Sequence, residues 1–92
     1  MPAELHFYTR PDCPLCDEFI GAAEAIGARH GLPIRKRNIE ELDVATYQKH
    51  RYRIPVVEYA AGDSSEAVEL GWGRLDEQAM EAVLRETLGS GS

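Results

Sequence analysis

A chain of 92 residues suits one compact domain and leaves little room for a second core or an elaborate substrate pocket. Apolar residues make up 43% and charged residues 28%, which excludes a disordered chain, and sixteen Asp and Glu against ten Lys and Arg (net −6) argue against nucleic acid or an anionic membrane as partner. No run approaches the length of a membrane span and Met1-Pro2-Ala3-Glu4 lacks the basic start of a secretory signal, so a cytoplasmic protein is expected.

Leu5-His6-Phe7-Tyr8-Thr9 reads as a strand stopped by the turn residues Arg10-Pro11-Asp12. From Pro14 the apolar period changes: Leu15, Phe19, Ile20, Ala23 and Ile26 recur at helical spacing, with Pro14 suited to the first helical position and Gly31 to the C-terminal stop. Ile34 to Ile39, charged between its isoleucines, is an edge strand. Glu40 to His50 follows as a short helix with Leu42, Ala45 and Tyr47 facing inward.

Val56 to Tyr59 and Ala67 to Leu70, joined by the turn-rich Ala61-Gly62-Asp63-Ser64-Ser65, form an antiparallel hairpin closed by Gly71-Trp72-Gly73. A last helix from Leu75 to Leu88 puts Leu75, Ala79, Val83 and Leu84 on one face and stops at Gly89. The tail 90–92 has linker composition, of the kind a cloning vector leaves, so the domain is taken as 1–89. The first strand-helix-strand unit requires a parallel pair, and the later short connection permits only an antiparallel one. The expected architecture is an α/β domain of order β-α-β-α-β-β-α, with a mixed four-stranded sheet flanked by three helices.

Two cysteines, Cys13 and Cys16, enclose Pro14-Leu15. A four-residue loop makes a weak staple, worth roughly 2 kcal/mol against about 3 for fifteen residues, so redox chemistry is the better use of the pair. Cys13 at the start of a helix meets unsatisfied N–H groups and the positive end of the dipole, which favour the thiolate; it is the candidate nucleophile. Cys16 lies one turn further along the same face, where it can attack a mixed disulfide on Cys13 as the resolving thiol. Lowering a thiol from about 8.5 to about 6 gains roughly tenfold in thiolate and loses about as much in nucleophilicity, so the benefit lies in Cys13 as a leaving group.

Thr9-Arg10-Pro11-Asp12-Cys13-Pro14-Leu15-Cys16 resembles the active-site segment of glutaredoxins, and Arg53-Ile54-Pro55-Val56 falls where their pre-proline motif would lie. With the order of elements, the resemblance covers Leu5 to Leu88 and is strongest to the bacterial glutaredoxin-like proteins. It implies a thioredoxin fold, a cis bond before Pro55, and a substrate held as an added strand by the Ile54 and Pro55 backbone. It further implies a glutathione site at Arg10, Ile54, Pro55, Gly73 and Asp76, to which Arg53 of the basic cluster before Ile54 adds a substrate-binding candidate. The chain departs from the pattern where Gly71-Trp72-Gly73-Arg74-Leu75-Asp76 splits the paired glycines and where Leu15 replaces the usual aromatic.

The expected partners are a disulfide-bearing protein or a glutathione mixed disulfide met by a monomer, with glutathione as co-substrate and no bound cofactor. His6, His30 and His50 are scattered strand or surface residues and no second CxxC exists to complete a zinc site, so no metal is expected. The alternatives are a non-catalytic thioredoxin-fold binding module and a carrier of a metal or iron–sulfur cluster shared between two chains. Trp72 reads as a packing anchor. Lys49, Arg51 and Arg53 form a basic cluster running into Ile54-Pro55, either a solvated face or a seat for a carboxylate.

Overall fold

Along Glu4–Thr9 (β1) Leu5 and Phe7 point to one side of the sheet and His6 and Tyr8 to the other, so this strand is buried on both faces. The computed structural model describes residues 3–62 and 67–89. β1 is followed by α1 (Pro14–His30), β2 (Ile34–Asn38), a 3-10 turn (Ile39–Glu41), α2 (Val44–His50), β3 (Val56–Ala60), β4 (Ala67–Trp72) and α3 (Glu77–Gly89). The sheet runs β2-β1-β3-β4, with β1 parallel to β2 and antiparallel to β3, and β3 antiparallel to β4. This is the mixed four-stranded thioredoxin-type sheet with three helices, and β2 is the edge strand the sequence suggests. The tail 90–92 and part of the turn expected at Ala61-Gly62-Asp63-Ser64-Ser65 lie outside the described residues.

Leu5, Phe7 and Val57 carry the larger core, closed by Ala23 and Ile26 of α1 and by Met80 and Leu84 of α3. α1 stops where Gly31 turns left-handed at φ 65°, and the Leu32 N–H returns to the Gly27 carbonyl at 2.8 Å. On the other face Tyr8 and Val56 pack with Ile39, Leu42 and Tyr47 beneath the short α2. β4 is irregular: Val57 faces Gly71 while Glu58 faces Glu69, so Leu70 is an extra residue that turns into the larger core.

Three expectations need correction. The helix read as Glu40 to His50 is broken, because Asp43 caps α2 by accepting the Thr46 N–H at 3.1 Å and the preceding residues form the separate 3-10 turn. Ala45 is exposed; Leu42, Tyr47 and His50 take the inward positions. α3 begins after Asp76, whose Oδ1 accepts the N–H groups of Gln78 and Ala79, so Leu75 is buried ahead of the helix and Met80, not Ala79, joins Leu84 on the inner face.

Candidate redox site

Strand register brings three loops to one end of the sheet. Thr9 ends β1 beside Asn38, Tyr8 stands opposite Val56, and Val56 stands opposite Trp72. Arg10 to Cys13, Ile54-Pro55 and Gly73 therefore emerge together, because each adjoins the last paired residue of its strand.

Cys13 ends the first loop. Asp12 takes a left-handed φ of 58°, tolerated by its short polar side chain, and Cys13 then adopts an extended φ/ψ of −112°/93° as the N-cap of α1. Its Sγ accepts the backbone N–H of Cys16 at 3.1 Å, occupying the place of the oxygen in an ordinary Ser or Asp cap, and Pro14 fills the first helical position without wasting a donor. Cys13 and Cys16 are joined as a disulfide, with Cα atoms 5.2 Å apart. The two sulfurs are not equivalent: Cys13 is half-buried, whereas Cys16 is 2% exposed within the core. A cavity of about 180 Å³ reaches Cys16 between Phe7, Thr9, Ile20, Asp17 and Lys36.

The second loop holds Pro55, buried and preceded by a cis bond from Ile54. The backbone here is already engaged. Arg53 and Ile54 donate their N–H groups to the His50 carbonyl at 2.8 and 3.1 Å, and Gly73 donates to the carbonyls of Arg53 and Pro55 at 3.0 and 2.8 Å. Gly73 does so at φ 68°, a conformation that favours glycine, while Gly71 lets Met80 approach where an added Cβ would sit 3.2 Å from its Cγ. The split glycines thus have separate tasks: one admits α3 against β4, and the other clamps the pre-proline loop.

The remaining predicted binding residues fall into two groups. Arg10 is exposed and forms no ion pair among the described residues. Arg53 is turned inward along the surface, its Nη2 2.6 Å from Glu69 and its guanidinium 4.9 Å from the Trp72 ring centroid. Asp76 uses a carboxylate oxygen to cap α3. Trp72 is no core anchor: it is 52% exposed because it stands at the outer end of β4, and it borders a groove of about 240 Å³ with Arg74, Leu75 and Asp76. Arg51 stacks over Tyr52 and Tyr47.

Residues 4–86 match the family described as Glutaredoxin-like domain (DUF836). The chain belongs to this glutaredoxin-like family. Among solved structures it is similar to the X. campestris protein XcR50, at 24% identity over 89% of this chain and 96% of that one with a TM-score of 0.60. Protein Ne2328 from Nitrosomonas europaea aligns at 24% identity, covering 90% and 92%, with a TM-score of 0.62. Thioredoxin 1 from Thermosipho africanus TCF52B shares 13% identity, covers 97% and 99%, and gives a TM-score of 0.63, which establishes the common fold. No curated protein matches the chain.

The structure brings both cysteines and the pre-proline segment of this glutaredoxin-like protein to one end of the sheet, but it buries His50, read from sequence as a scattered strand or surface residue, and uses its carbonyl to anchor the loop. The available signal was its spacing, three residues after Tyr47 on the same helical stripe. Among the described residues no group of three or more His, Cys, Asp or Glu is placed to hold a metal ion, and no helix is long and apolar enough to cross a membrane.

Proposed function

We propose that this glutaredoxin-like protein is a thiol-disulfide oxidoreductase that reduces protein disulfides or glutathione mixed disulfides in the cytoplasm, with glutathione or another thiol as the electron donor. The observation that carries this reading is the unequal pair at the head of α1: a half-buried Cys13 Sγ held by the Cys16 N–H, and a buried Cys16 behind it.

In the reduced protein the Cys13 thiolate attacks one sulfur of the substrate disulfide. A bond forms between Cys13 and that sulfur, and the other substrate sulfur leaves as a thiolate. Cys16 then loses its proton toward the cavity whose ionisable lining is Asp17 and Lys36 and attacks the Cys13 sulfur. The second substrate thiol leaves, two electrons have passed to the substrate, and the Cys13–Cys16 disulfide of this structure is formed. Two molecules of a monothiol return the pair to the reduced form, themselves becoming a disulfide.

Helix-start geometry assists the return to the reduced form most: when the second monothiol attacks the sulfur of the first, bound to Cys13, Cys13 is the leaving group, and the N–H and dipole stabilise its thiolate. Arg10, exposed three residues before Cys13, is a basic group left to meet an anionic substrate, since Arg53 is engaged with Glu69. Cys16→Ser is expected to accumulate one equivalent of a mixed disulfide at Cys13 when mixed with oxidised glutathione or a disulfide-bearing peptide, read by intact mass. Cys13→Ser is expected to abolish turnover. An unreactive Cys13 in Cys16→Ser, with no adduct from either oxidant, contradicts the proposal.

A further inference from the structure

Beneath α2 the sheet carries a polar cluster that thiol exchange does not use. His50, the last residue of α2, is 2% exposed, and its Nδ1 is a buried nitrogen with no hydrogen-bond partner among the described residues. Its Nε2 lies 3.8 Å from Glu58 of β3, and its ring centroid lies 4.5 Å from that of Tyr8 of β1. Burial first, then the Glu58 carboxylate, pushes the Tyr8 phenol up to about 12, so it is neutral across the working range. Lys49 on the same helix, Arg53 in the following loop and Glu69 on β4 complete the charges facing the imidazole.

Buried imidazoles ordinarily satisfy both nitrogens. Nε2, 3.8 Å from Glu58, is the nitrogen placed to carry the proton of a neutral ring, which leaves Nδ1 as a bare lone pair. A second proton would place a donor at Nδ1 with no acceptor and a charge inside the fold. Burial, reinforced by Lys49 and Arg53, lowers the His50 pKa below 6.5 against the opposing pull of Glu58 and Glu69. The same residue holds the site, because its carbonyl accepts the N–H groups of Arg53 and Ile54.

We propose that His50 is a positioning residue for the redox site: seated neutral between Tyr8 and Glu58 it fixes the Arg53-Ile54-Pro55 segment, and its protonation in mild acid releases that segment. The consequence for turnover rests on the oxidoreductase reading above, whereas the coupling between ring and loop does not.

The test follows both levels. Amide signals of Arg53, Ile54 and Gly73 in the oxidised protein, recorded by NMR from pH 4.5 to 7.5, are expected to shift with the midpoint of the His50 ring protons, below 6.5. That transition disappears in His50→Gln and moves to still lower pH in Glu58→Gln, which removes a carboxylate that supports the charge. In the reduced protein, the rate with a cyclic disulfide peptide divided by the rate with iodoacetamide is expected to fall along the His50 titration as pH drops from neutral to 5, and to stay flat in His50→Gln. Amides that ignore the His50 midpoint, or that titrate identically in His50→Gln, overturn the proposal. If the amides follow His50 while no peptide disulfide is reduced at any pH, the coupling stands and the oxidoreductase reading fails.

Discussion

Two glycines inside α1, Gly21 and Gly27, give opposite predictions for the same substitution. Helix propensity alone treats them alike: Gly→Ala in a helix interior gains about 1 kcal/mol. The structure separates them. An added Cβ at Gly21 meets nothing within 4 Å, so the full gain is expected. At Gly27 the Cβ would lie 2.7 Å from the backbone oxygen of Leu32 and 3.3 Å from Ile34 Cγ1. The oxygen cannot swing aside like a side-chain tip, because the Leu32 N–H is bonded to the Gly27 carbonyl at 2.8 Å and the chain enters β2 two residues later. Relieving the overlap means moving the α1–β2 connection, at a cost of roughly 2 kcal/mol for overpacking a close contact, which exceeds the propensity gain.

The net expectation is Gly21→Ala about 1 kcal/mol more stable than the parent and Gly27→Ala about 1 kcal/mol less, or opposite shifts of roughly 5 °C in Tm for a domain of this size. Urea titration of the oxidised proteins, with the slope m held common, measures both against the parent. A Gly27→Ala protein as stable as the parent, or two variants that move in the same direction, would refute the claim that the α1–β2 approach requires a missing side chain.

Asp76→Ala removes the oxygen that accepts the Gln78 and Ala79 N–H groups and is expected to cost about 1 kcal/mol in urea titration, with Cys13 alkylation unchanged in the reduced protein. Gly73→Ala forces a Cβ into a left-handed residue and is expected to lower stability by about 1–2 kcal/mol while slowing peptide reduction more than iodoacetamide alkylation, since Gly73 clamps the pre-proline loop. For His50 the folded pKa lies below the unfolded value of 6.5, so the unfolded chain binds the proton first and the parent should lose stability relative to His50→Gln as pH falls below 6.5. Glu4, held down by its bond to His6, and Asp43, held down by the Thr46 hydroxyl and N–H, contribute stability that is present above 4.5 and 3.8 and lost as pH falls further; urea titrations at stepped pH separate this later loss from that of His50.

Much of the fold was legible because its signals are local. β1 alternates, α1 carries a helical stripe between Pro14 and Gly31, and a short connection between two apolar runs allows only a hairpin. The misreadings occur where one hydrogen bond decides a boundary. Glu40 to His50 has helical composition throughout, yet Asp43 offers its carboxylate to the Thr46 N–H and starts the helix afresh. Ala79 and Met80 are adjacent, and only the cap at Asp76 fixes which faces the core. The burial of His50 escaped notice because its spacing from Tyr47 marks a stripe, while that burial depends on Tyr8 and Glu58, forty-two residues before it and eight after it in the chain.

The site was legible to different depths for the same reason. Cys13 and Cys16 act through the helix that contains them, so their spacing and the flanking Pro14 suffice to place one sulfur at the cap and the other a turn inside. The binding residues depend on which groups elsewhere in the fold claim them first. Glu69 reaches Arg53 because the irregular β4 sets it opposite Glu58, where two facing carboxylates would repel, and the guanidinium neutralises one of them at 2.6 Å. His50 lies 3.8 Å from the other. A basic residue that matches a binding motif in sequence thus serves in this chain to balance a pair of acids across two strands. Its availability to an incoming carboxylate is set by that pairing and not by its position before Pro55.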